Sequence, residues 1–364
     1  MLITLIAGAR PNFVKIAPII SAIKHAEANG KDIHYRLVHT GQHFDKNMSE
    51  SFFDELGIPM PDINLGCGGG TQAEQTAHIM IEFEKDLLAH PSDLVLVVGD
   101  VTSTMACSIV AKKLNTKVTH VEAGIRSWDL TMPEEINRIV TDSLADFYFT
   151  TSEVANNNLS HMGVESSRIH FVGNVMIDTL LANRSRFRRT ELWDKLHLQE
   201  KKYFVMTLHR PANVDDANNL LTLIRQITTN VHNEPVIFPM HPRTAKIYRE
   251  IGVTVPNLHI VEPLGYLEFN YLVERAHAVI TDSGGITEET TVMAVPCLTL
   301  RDNTERPETC TIGTNELVGT NPDAIKPALD KLFAGQWKKG NVPPLWDGKT
   351  ATRIVDVLCE RWKL

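Results

Sequence analysis

The feature that most constrains this fold is the alternation of short apolar runs with longer amphipathic stretches along the whole chain. Short apolar runs bounded by turn residues are typical of strands, and the amphipathic stretches between them are typical of helices that cover a sheet. Residues 94–98, Leu-Val-Leu-Val-Val, are apolar on both faces, as expected of a buried parallel strand. The alternation therefore predicts an α/β protein built from βαβ units.

Apolar runs of this kind occur in both halves of the chain, which predicts two doubly wound, Rossmann-like domains. In the first half the predicted strands are residues 2–7, 35–39, 94–98, 117–121, 147–151 and 169–172. In the second half they are residues 203–208, 236–239, 258–261, 278–281 and 297–300. Amphipathic patterns predict helices over 217–231 and 266–275, and a helix over 350–362 is expected to close the molecule.

We place the domain boundary at Gly173-Asn174, directly after the strand over 169–172. An N-terminal domain then spans residues 1–173 and a C-terminal domain spans 174–349, followed by the closing helical segment 350–364. The 364 residues suffice for two domains of roughly 100–200 residues each. Ligands of doubly wound folds bind beyond the carboxyl ends of the strands, so the expected site is a cleft that the two domains face.

Composition excludes several classes of function. There are 36 Lys and Arg against 44 Asp and Glu, a net charge of −8, and this disfavours nucleic acid, whose backbone needs a basic surface. Five cysteines without a CxxC pair favour neither a disulfide framework nor a structural zinc site, and they fit a reducing compartment. No signal-peptide pattern and no membrane-length apolar run occur, so we expect a soluble, cytoplasmic protein without a membrane partner.

Two charged side chains follow the first and third predicted strands. Arg10 lies in a Gly-Ala-Arg-Pro turn, where free backbone N–H groups and a guanidinium would make an anion site. A plain strand-to-helix turn explains the same residues equally well. Asp100 follows the run 94–98, and capping of the next helix is the commoner role for aspartate there.

Two glutamates follow later in the first half. Glu122 comes after the strand over 117–121, and the His120-x-Glu122 spacing is like that of a zinc deaminase; we reject this interpretation because the required Pro-Cys-x-x-Cys partner is missing. Glu134 and Glu135 follow Pro133, and ordinary helix-start chemistry explains at least one of them. These carboxylates are candidate acid and base groups.

The second half carries histidines and a phosphate-type turn. His209 ends one strand and His241 another, and histidine titrates near working pH, although a lone histidine is more often structural. Ser283-Gly284-Gly285 joins the strand over 278–281 to a helix, where glycines and the helix dipole favour a phosphate. Glu289, one turn further, could accept hydrogen bonds from ribose, and Arg306 adds a cation. A nucleotide diphosphate facing acid/base groups fits this set, which by itself leaves glycoside hydrolases and transferases open.

Eight motifs in register along the chain give it a resemblance to the non-hydrolysing UDP-N-acetylglucosamine 2-epimerases. They are Gly8-Ala-Arg10-Pro with Lys15, Gly41-Gln42-His43, Gly99-Asp100-Val-Thr-Ser-Thr, Val121-Glu122-Ala-Gly-Ile-Arg126, Pro133-Glu134-Glu135-Ile-Asn137-Arg138, His209-Arg210, Asp282-Ser283-Gly-Gly-Ile-Thr-Glu288-Glu289 and Glu305-Arg306-Pro-Glu308. The resemblance implies a fold like that of GT-B glycosyltransferases and a homodimer. It implies a UDP-sugar as the ligand and requires no cofactor, neither metal nor nicotinamide.

The resemblance also implies roles for individual residues. Those expected to bind UDP and the ligand are Arg10, Lys15, Phe269, Ser283, Gly284, Gly285, Glu289 and Arg306. Those expected around the sugar as catalytic groups are Asp100, Glu122, Glu134 and His209, with Gln42, His43, Arg138 and His241 as additional candidates. Which carboxylate is the base and which the acid stays open.

The implied reaction interconverts UDP-GlcNAc and UDP-ManNAc. A base removes the C2 proton, UDP leaves C1 by anti elimination, and a bound 2-acetamidoglucal is reprotonated on its other face before UDP returns. Such an enzyme would supply precursors of bacterial-type cell-surface polysaccharides. Alternatives are an epimerase of a diacetamido uronic acid UDP-sugar, a hydrolysing epimerase that releases ManNAc and UDP, a GT-B glycosyltransferase, and a two-lobed binding protein without catalysis.

Overall fold

The structure is a computed structural model that describes residues 1–42, 53–240 and 242–364. The chain forms two compact units. The first unit contains Met1–Ala182 and Pro344–Leu364, and the second contains Asn183–Pro343. Along the described ranges, every helix is too short or too polar to cross a lipid bilayer.

The first unit is built on a seven-stranded sheet whose strands are all parallel. Its strand order is β3-β2-β1-β4-β5-β6-β7. The strands are β1 (Leu2–Ala7), β2 (His34–His39), β3 (Ile63–Asn64), β4 (Leu94–Val98), β5 (Lys117–Val121), β6 (Phe147–Thr150) and β7 (Ile169–Phe171). All five residues of β4 are buried, which confirms the prediction made from its two apolar faces.

The second unit repeats this topology with a six-stranded parallel sheet in the order β10-β9-β8-β11-β12-β13. Its strands are β8 (Phe204–Thr207), β9 (Val236–Pro239), β10 (Leu258–Val261), β11 (Ala278–Thr281), β12 (Cys297–Thr299) and β13 (Asn315–Leu317). Numbered within each unit, both sheets have the doubly wound order 3-2-1-4-5-6, which β7 extends by a seventh strand in the first unit. The predicted fold class is therefore confirmed.

Helices connect the strands of both sheets. In the first unit they are α1 (Arg10–Ala28), α2 (Gln72–Ala89), α3 (Thr102–Lys113), α4 (Pro133–Leu144), α5 (Glu153–His161) and α6 (Val175–Asn183). In the second they are α7 (Glu191–Lys195), α8 (Pro211–Val214), α9 (Ala217–Asn230), α10 (Pro242–Ile251), α11 (Tyr266–Arg275), α12 (Gly284–Val292), α13 (Pro307–Thr311) and α14 (Ile325–Phe333). The terminal helix α15 (Thr350–Trp362) has the predicted bounds.

Local sequence chemistry fixes several helix starts. Thr71 and Glu74 form a capping box at α2, and Ser152 caps α5 through the amide of Ala155. Asp216 accepts a hydrogen bond from the amide of Asn219 and so caps α9. Pro133 starts α4 as predicted, because a proline in the first turn needs no hydrogen-bond acceptor for its nitrogen.

The units divide the chain later than the Gly173-Asn174 boundary that we placed from sequence. α6 lies in the first unit, because Thr179 Oγ1 donates to the carbonyl of Val14 in α1 at 2.5 Å. The carboxylate of Asp178 accepts hydrogen bonds from the amides of Thr350 and Ala351 at 3.1 and 2.7 Å. These contacts join α6 and α15 to the first unit.

Candidate functional site

Both sheets have a topological switch point, where helices leave neighbouring strands on opposite faces. In the first unit this point lies between β1 and β4, and in the second between β8 and β11. Switch points are the usual ligand-binding crevices of doubly wound sheets. The predicted site residues follow these four strands or their neighbours, so each unit contributes its own group of candidates.

Asp100 follows β4 and forms an ion pair with Arg138 of α4. Its Oδ2 accepts hydrogen bonds from Nε and Nη2 of Arg138 at 3.0 and 2.5 Å. Asn137 also donates to the backbone carbonyl of Asp100 at 2.8 Å. The N-cap of α3 is Val101, without a side-chain cap, so the commoner expectation of a helix-capping aspartate is wrong. The carboxylate is instead held on a guanidinium.

Glu122 is buried directly after β5, and its Oε2 accepts a hydrogen bond from Nζ of Lys15 at 2.7 Å. Lys15 is itself buried in α1. Glu122 has a φ of +69°, a left-handed conformation that costs a residue with a Cβ of order 1 kcal/mol or more. Such strain is concentrated at functional positions. The structure thus brings together two residues that the sequence predicted separately.

The two glutamates at the start of α4 have different environments. Glu135 is buried and accepts hydrogen bonds from the amides of Ser127 and Trp128 at 3.0 and 2.9 Å and from Arg138 Nη1 at 2.6 Å. Glu134 is exposed in the same turn. Glu135 therefore has the structural role expected of one of the pair, and Glu134 is available to a ligand.

The turn after β1 differs from its prediction in one respect. The side chain of Asn12 accepts hydrogen bonds from the amides of Gly8 and Ala9 at 3.1 and 3.0 Å, so these amides are not free for an anion. The Asn12 amide nitrogen also donates to the carbonyl of Val98 at 2.9 Å, which ties the β1 turn to β4. Arg10 is half-buried, and burial lowers the pKa of its guanidinium although the charge of Glu55 acts to raise it.

Gln42 lies beside the same turn. Its Oε1 accepts a hydrogen bond from Oγ of Ser103 at 3.0 Å, and Ser103 also lies 2.6 Å from Oγ1 of Thr40. The other additional candidates His43 and His241 fall outside the described residues. No three His, Cys, Asp or Glu side chains converge as a metal site within residues 1–42, 53–240 and 242–364.

In the second unit His209 is paired with Asp282, which follows β11. Nδ1 of His209 lies 2.6 Å from Oδ1 of Asp282, and the histidine side chain is 59% exposed. Asp282 also accepts hydrogen bonds from the amides of His209 and Arg210 and from Asn213. Burial acts to raise the pKa of Asp282, but these partners, His209 first, hold it below its usual value. The ionised carboxylate accepts a hydrogen bond from Nδ1–H, and this orients Nε2 for proton transfer.

The Ser283-Gly284-Gly285 stretch forms the start of α12 as predicted, with Ser283 at the N-cap. A Cβ on Gly284 would lie 3.0 Å from Oε1 of Glu305, so glycine keeps this approach open. Arg306 is buried at the N-cap of α13, where its Nε donates to the carboxylate of Glu288. The N-terminus of α12 has the polarity that favours a phosphate.

Glu289 is buried in α12, and its Oε1 accepts a hydrogen bond from the hydroxyl of Tyr266 at 2.9 Å. Burial raises the pKa of Glu289 to about 7, and the charge of Glu288 contributes, while the hydrogen bond from Tyr266 acts to lower it. Tyr266 belongs to α11, the helix that also carries the half-buried Phe269. The predicted ribose and uracil residues therefore come from two helices joined by a hydrogen bond.

Sequence reasoning missed Asn12 and Asp282 as supporting residues. Both lie within the motifs, Asp282 directly after β11 and Asn12 five residues after β1, but the hydrogen bonds that tie them to other strands reach partners distant in sequence. Asp282 contacts residues 69 to 73 positions away, and Asn12 reaches Val98 across 86 positions. The parallel strand order, which places β1 beside β4 and β8 beside β11, supplies these contacts.

Two doubly wound units with polar side chains at both switch points define the class of GT-B-like α/β proteins. Comparison with known proteins is more specific. A family model described as UDP-N-acetylglucosamine 2-epimerase matches residues 25–359. The chain belongs to this family.

Named relatives cover the whole chain. It is 40% identical to a UDP-N-acetylglucosamine 2-epimerase of Methanocaldococcus jannaschii, over 98% of this chain and 99% of the relative. It is also 40% identical to the UDP-2,3-diacetamido-2,3-dideoxy-D-glucuronate 2-epimerase of Pseudomonas aeruginosa, over 99% and 100%. A crystal structure of the Methanocaldococcus jannaschii UDP-GlcNAc 2-epimerase in complex with UDP-GlcNAc and UDP matches with a TM-score of 0.89 at 40% identity, over 99% of this chain and all of that one.

Proposed function

We propose that this protein is a UDP-N-acetylglucosamine 2-epimerase that interconverts UDP-GlcNAc and UDP-ManNAc without hydrolysing them. The observation that carries the proposal is the Lys15–Glu122 pair beside Asp100–Arg138, two carboxylates held on cations after neighbouring strands. Elimination of UDP across C1 and C2 needs a positioned base and stabilisation of the departing diphosphate. Family membership and full-length relatives support the same reaction.

In this proposal the first unit supplies the groups that act on the sugar. Asp100, Glu122 and Glu134 are the acid/base candidates, and Arg138 and Lys15 hold the first two of them in place. Arg10, with its half-buried guanidinium, and Gln42 complete the ligand contacts of this unit. A base at one face of C2 and an acid at the other would invert the centre through the glycal intermediate.

The second unit in this proposal holds UDP. The N-terminus of α12, with Ser283, Gly284 and Gly285, and the cation Arg306 receive the diphosphate, and they stabilise its charge when it leaves C1. Glu289 accepts hydrogen bonds from ribose, and Phe269 lies against uracil. His209, oriented by Asp282, is the acid/base candidate of this unit.

The test is replacement of each buried or paired carboxylate by its amide. Asp100→Asn and Glu122→Gln should bind UDP like the unaltered protein, measured by calorimetry, and should lose epimerase turnover by at least roughly 10²-fold, as general acid–base catalysis predicts. Glu84→Gln, on an exposed position of α2, is the matched control and should retain full activity. Full activity in both amide variants would refute the assignment.

A second substrate deserves comparison because the Pseudomonas aeruginosa relative is as similar as the Methanocaldococcus jannaschii one. That relative is named for UDP-2,3-diacetamido-2,3-dideoxy-D-glucuronate, which adds an acetamido group and a carboxylate to the sugar. Measurement of kcat/KM for both UDP-sugars decides between them. The proposed function requires the higher value for UDP-GlcNAc.

We further propose a cytoplasmic homodimer that serves cell-surface polysaccharide synthesis. All five cysteines are free thiols and four are buried, which fits a reducing compartment. The helix α2 exposes Ile81 and Leu88, apolar side chains of the kind that subunit interfaces cover. Light scattering coupled to size exclusion should give twice the mass of the 40.7 kDa chain, and a monomer mass would refute the dimer.

A further inference from the structure

A fully buried ion cluster of His120, Arg126 and Asp142 lies at the carboxyl end of β5. The three side chains are 0%, 1% and 0% exposed. Asp142, in α4, places Oδ1 at 2.7 Å from Nδ1 of His120 and Oδ2 at 2.7 Å from Nη2 of Arg126. Buried charges are costly unless they are paired and hydrogen-bonded, so such a cluster needs an explanation that packing alone does not give.

The hydrogen-bond partners of His120 hold its ring from both sides. Nε2 lies 2.8 Å from the carbonyl oxygen of Gly99, which can only accept a hydrogen bond, so Nε2 donates. Nδ1 lies against the carboxylate of Asp142. Burial acts to raise the pKa of Asp142, but the charges and hydrogen bonds of His120 and Arg126 hold it below its usual value.

The cluster holds two loops. Through Nε2, His120 fixes the carbonyl of Gly99, the residue before Asp100. Through Oδ2, Asp142 fixes the amide of Gly124 at 3.1 Å, two residues after Glu122. Each loop thus carries one of the carboxylates assigned to proton transfer.

Gly99 also lies close to the Lys15–Glu122 pair. It has a φ of +71°, and a Cβ added at this position would lie 3.2 Å from Nζ of Lys15 and 3.7 Å from Oε2 of Glu122. A shift of the Gly99 peptide would therefore move Asp100 and disturb the Lys15–Glu122 pair together. The His120 ring holds this peptide from the side of β5.

We propose that His120 and Asp142 are positioning residues that hold the Asp100 and Glu122 loops in register for proton transfer at C2. The proposal rests on the proposed epimerase function. Neither side chain is assigned a contact with the sugar or with UDP. Their loss should lower kcat and leave the affinity for UDP unchanged, since most of the residues proposed to bind UDP belong to the second unit and the hydrogen bonds of the His120 and Asp142 side chains go to residues outside that set.

Two substitutions of His120 separate its contacts. The amide nitrogen of asparagine reaches the position of Nδ1, and that of glutamine reaches the position of Nε2. His120→Asn therefore retains the contact with Asp142 and releases Gly99, and His120→Gln does the reverse. Both should lower kcat for UDP-GlcNAc by roughly 10²-fold, the effect of an ångström-scale misplacement.

The control is His170→Asn, which alters a half-buried histidine on the edge strand β7 and should retain wild-type kcat. Unchanged kcat in both His120 variants would overturn the positioning role alone, as would a loss of UDP affinity in proportion to kcat. An unaltered protein without turnover on UDP-GlcNAc would instead overturn the proposed function.

A neutron structure of the unaltered protein tests the cluster without any variant, even where the His120 variants do not fold. Deuterium on Nε2 of His120, directed at the carbonyl oxygen of Gly99, is the expected result. An Nε2 without deuterium would overturn the hold on the Gly99 peptide and with it the positioning role.

Discussion

Two glutamates of the second unit, Glu289 and Glu308, are almost fully buried. Burial raises the pKa of each to about 7. An unfolded glutamate has a pKa of about 4.3, so between these values the folded protein binds more protons than the unfolded chain. The stabilising contribution of such a group is full below the unfolded pKa and is lost as the pH rises through the folded pKa.

We predict that Glu308→Gln flattens the pH dependence of stability. In the unaltered protein the free energy of unfolding should fall between about pH 4.3 and 7, by up to about 4 kcal/mol for this residue. The glutamine cannot ionise, so the variant should be the more stable protein at pH 8, and this advantage should disappear by pH 4. Urea unfolding at each pH measures the difference.

The exposed Glu84→Gln variant should keep the wild-type profile. The prediction would be contradicted if the free energy of unfolding of Glu308→Gln varied with pH in parallel with that of the unaltered protein. Glu308 would then ionise as easily in the folded state as in the unfolded state. Glu289 is unsuited to this comparison because it is also proposed to bind ribose.

At single residues the sequence was sufficient to place a candidate relative to its strand, and the chemical roles of these residues stay predictions. Gly284, Glu122 and Asp100 follow strands, and the strands were recognisable. The sequence could not predict which of Glu134 and Glu135 is buried. Burial depends on the Ser127–Trp128 turn, whose amides donate hydrogen bonds to Glu135 at the start of α4. Asn12 was missed for the same reason, because its partners lie in β4 and in its own turn.

The turn between β1 and α1 is the tightest element of the first unit. A Cβ on Gly8 would lie 2.1 Å from Oγ and 2.8 Å from Cβ of Ser103 in α3. Side-chain rotation could move the hydroxyl but not Cβ, so any side chain here forces the turn away from α3. The same turn carries Arg10 and begins the helix that holds Lys15.

Gly8→Ala should therefore lower the free energy of unfolding by about 1–3 kcal/mol, as overpacking in a close-packed interior does. It should also reduce turnover, since it displaces Lys15 from Glu122. Equilibrium unfolding in urea and epimerase assays measure the two effects.

The double variant Gly8→Ala/Ser103→Gly is the control, because it removes the clashing atoms. Its loss in free energy of unfolding should be smaller than the sum of the losses in the two single variants. Strict additivity would contradict the proposed contact, since independent sites add and contacting sites do not.

Strands and helices with strong patterns were predicted to within a few residues, and α11 and α15 to the residue. The edge strands β3 and β13 were not predicted. They have two and three residues, and each pairs on one side only, so their sequences need not be apolar on both faces. Local periodicity carries little signal for such short edges.

At the scale of the whole molecule, the number of domains and the sheet topology were predictable because βαβ alternation restricts the strand order. The unit to which the C-terminal segment belongs was not predictable. The sequence identified α15 as a closing helix, but only tertiary contacts assign it to the first unit, such as Arg353 Nη1 donating to the carbonyl of Val172 at 3.0 Å. The first unit is therefore discontinuous in sequence and the second is continuous.

In the proposed reaction the first unit carries out proton transfer at C2 and the second unit binds most of UDP, so a single turnover needs both. The most direct test is incubation of the protein with UDP-GlcNAc in D2O without added metal or nicotinamide, followed by proton NMR. The account predicts UDP-ManNAc with deuterium at C2, and no net release of UDP. UDP-ManNAc that keeps its C2 proton, or no conversion of UDP-GlcNAc at all, would contradict it.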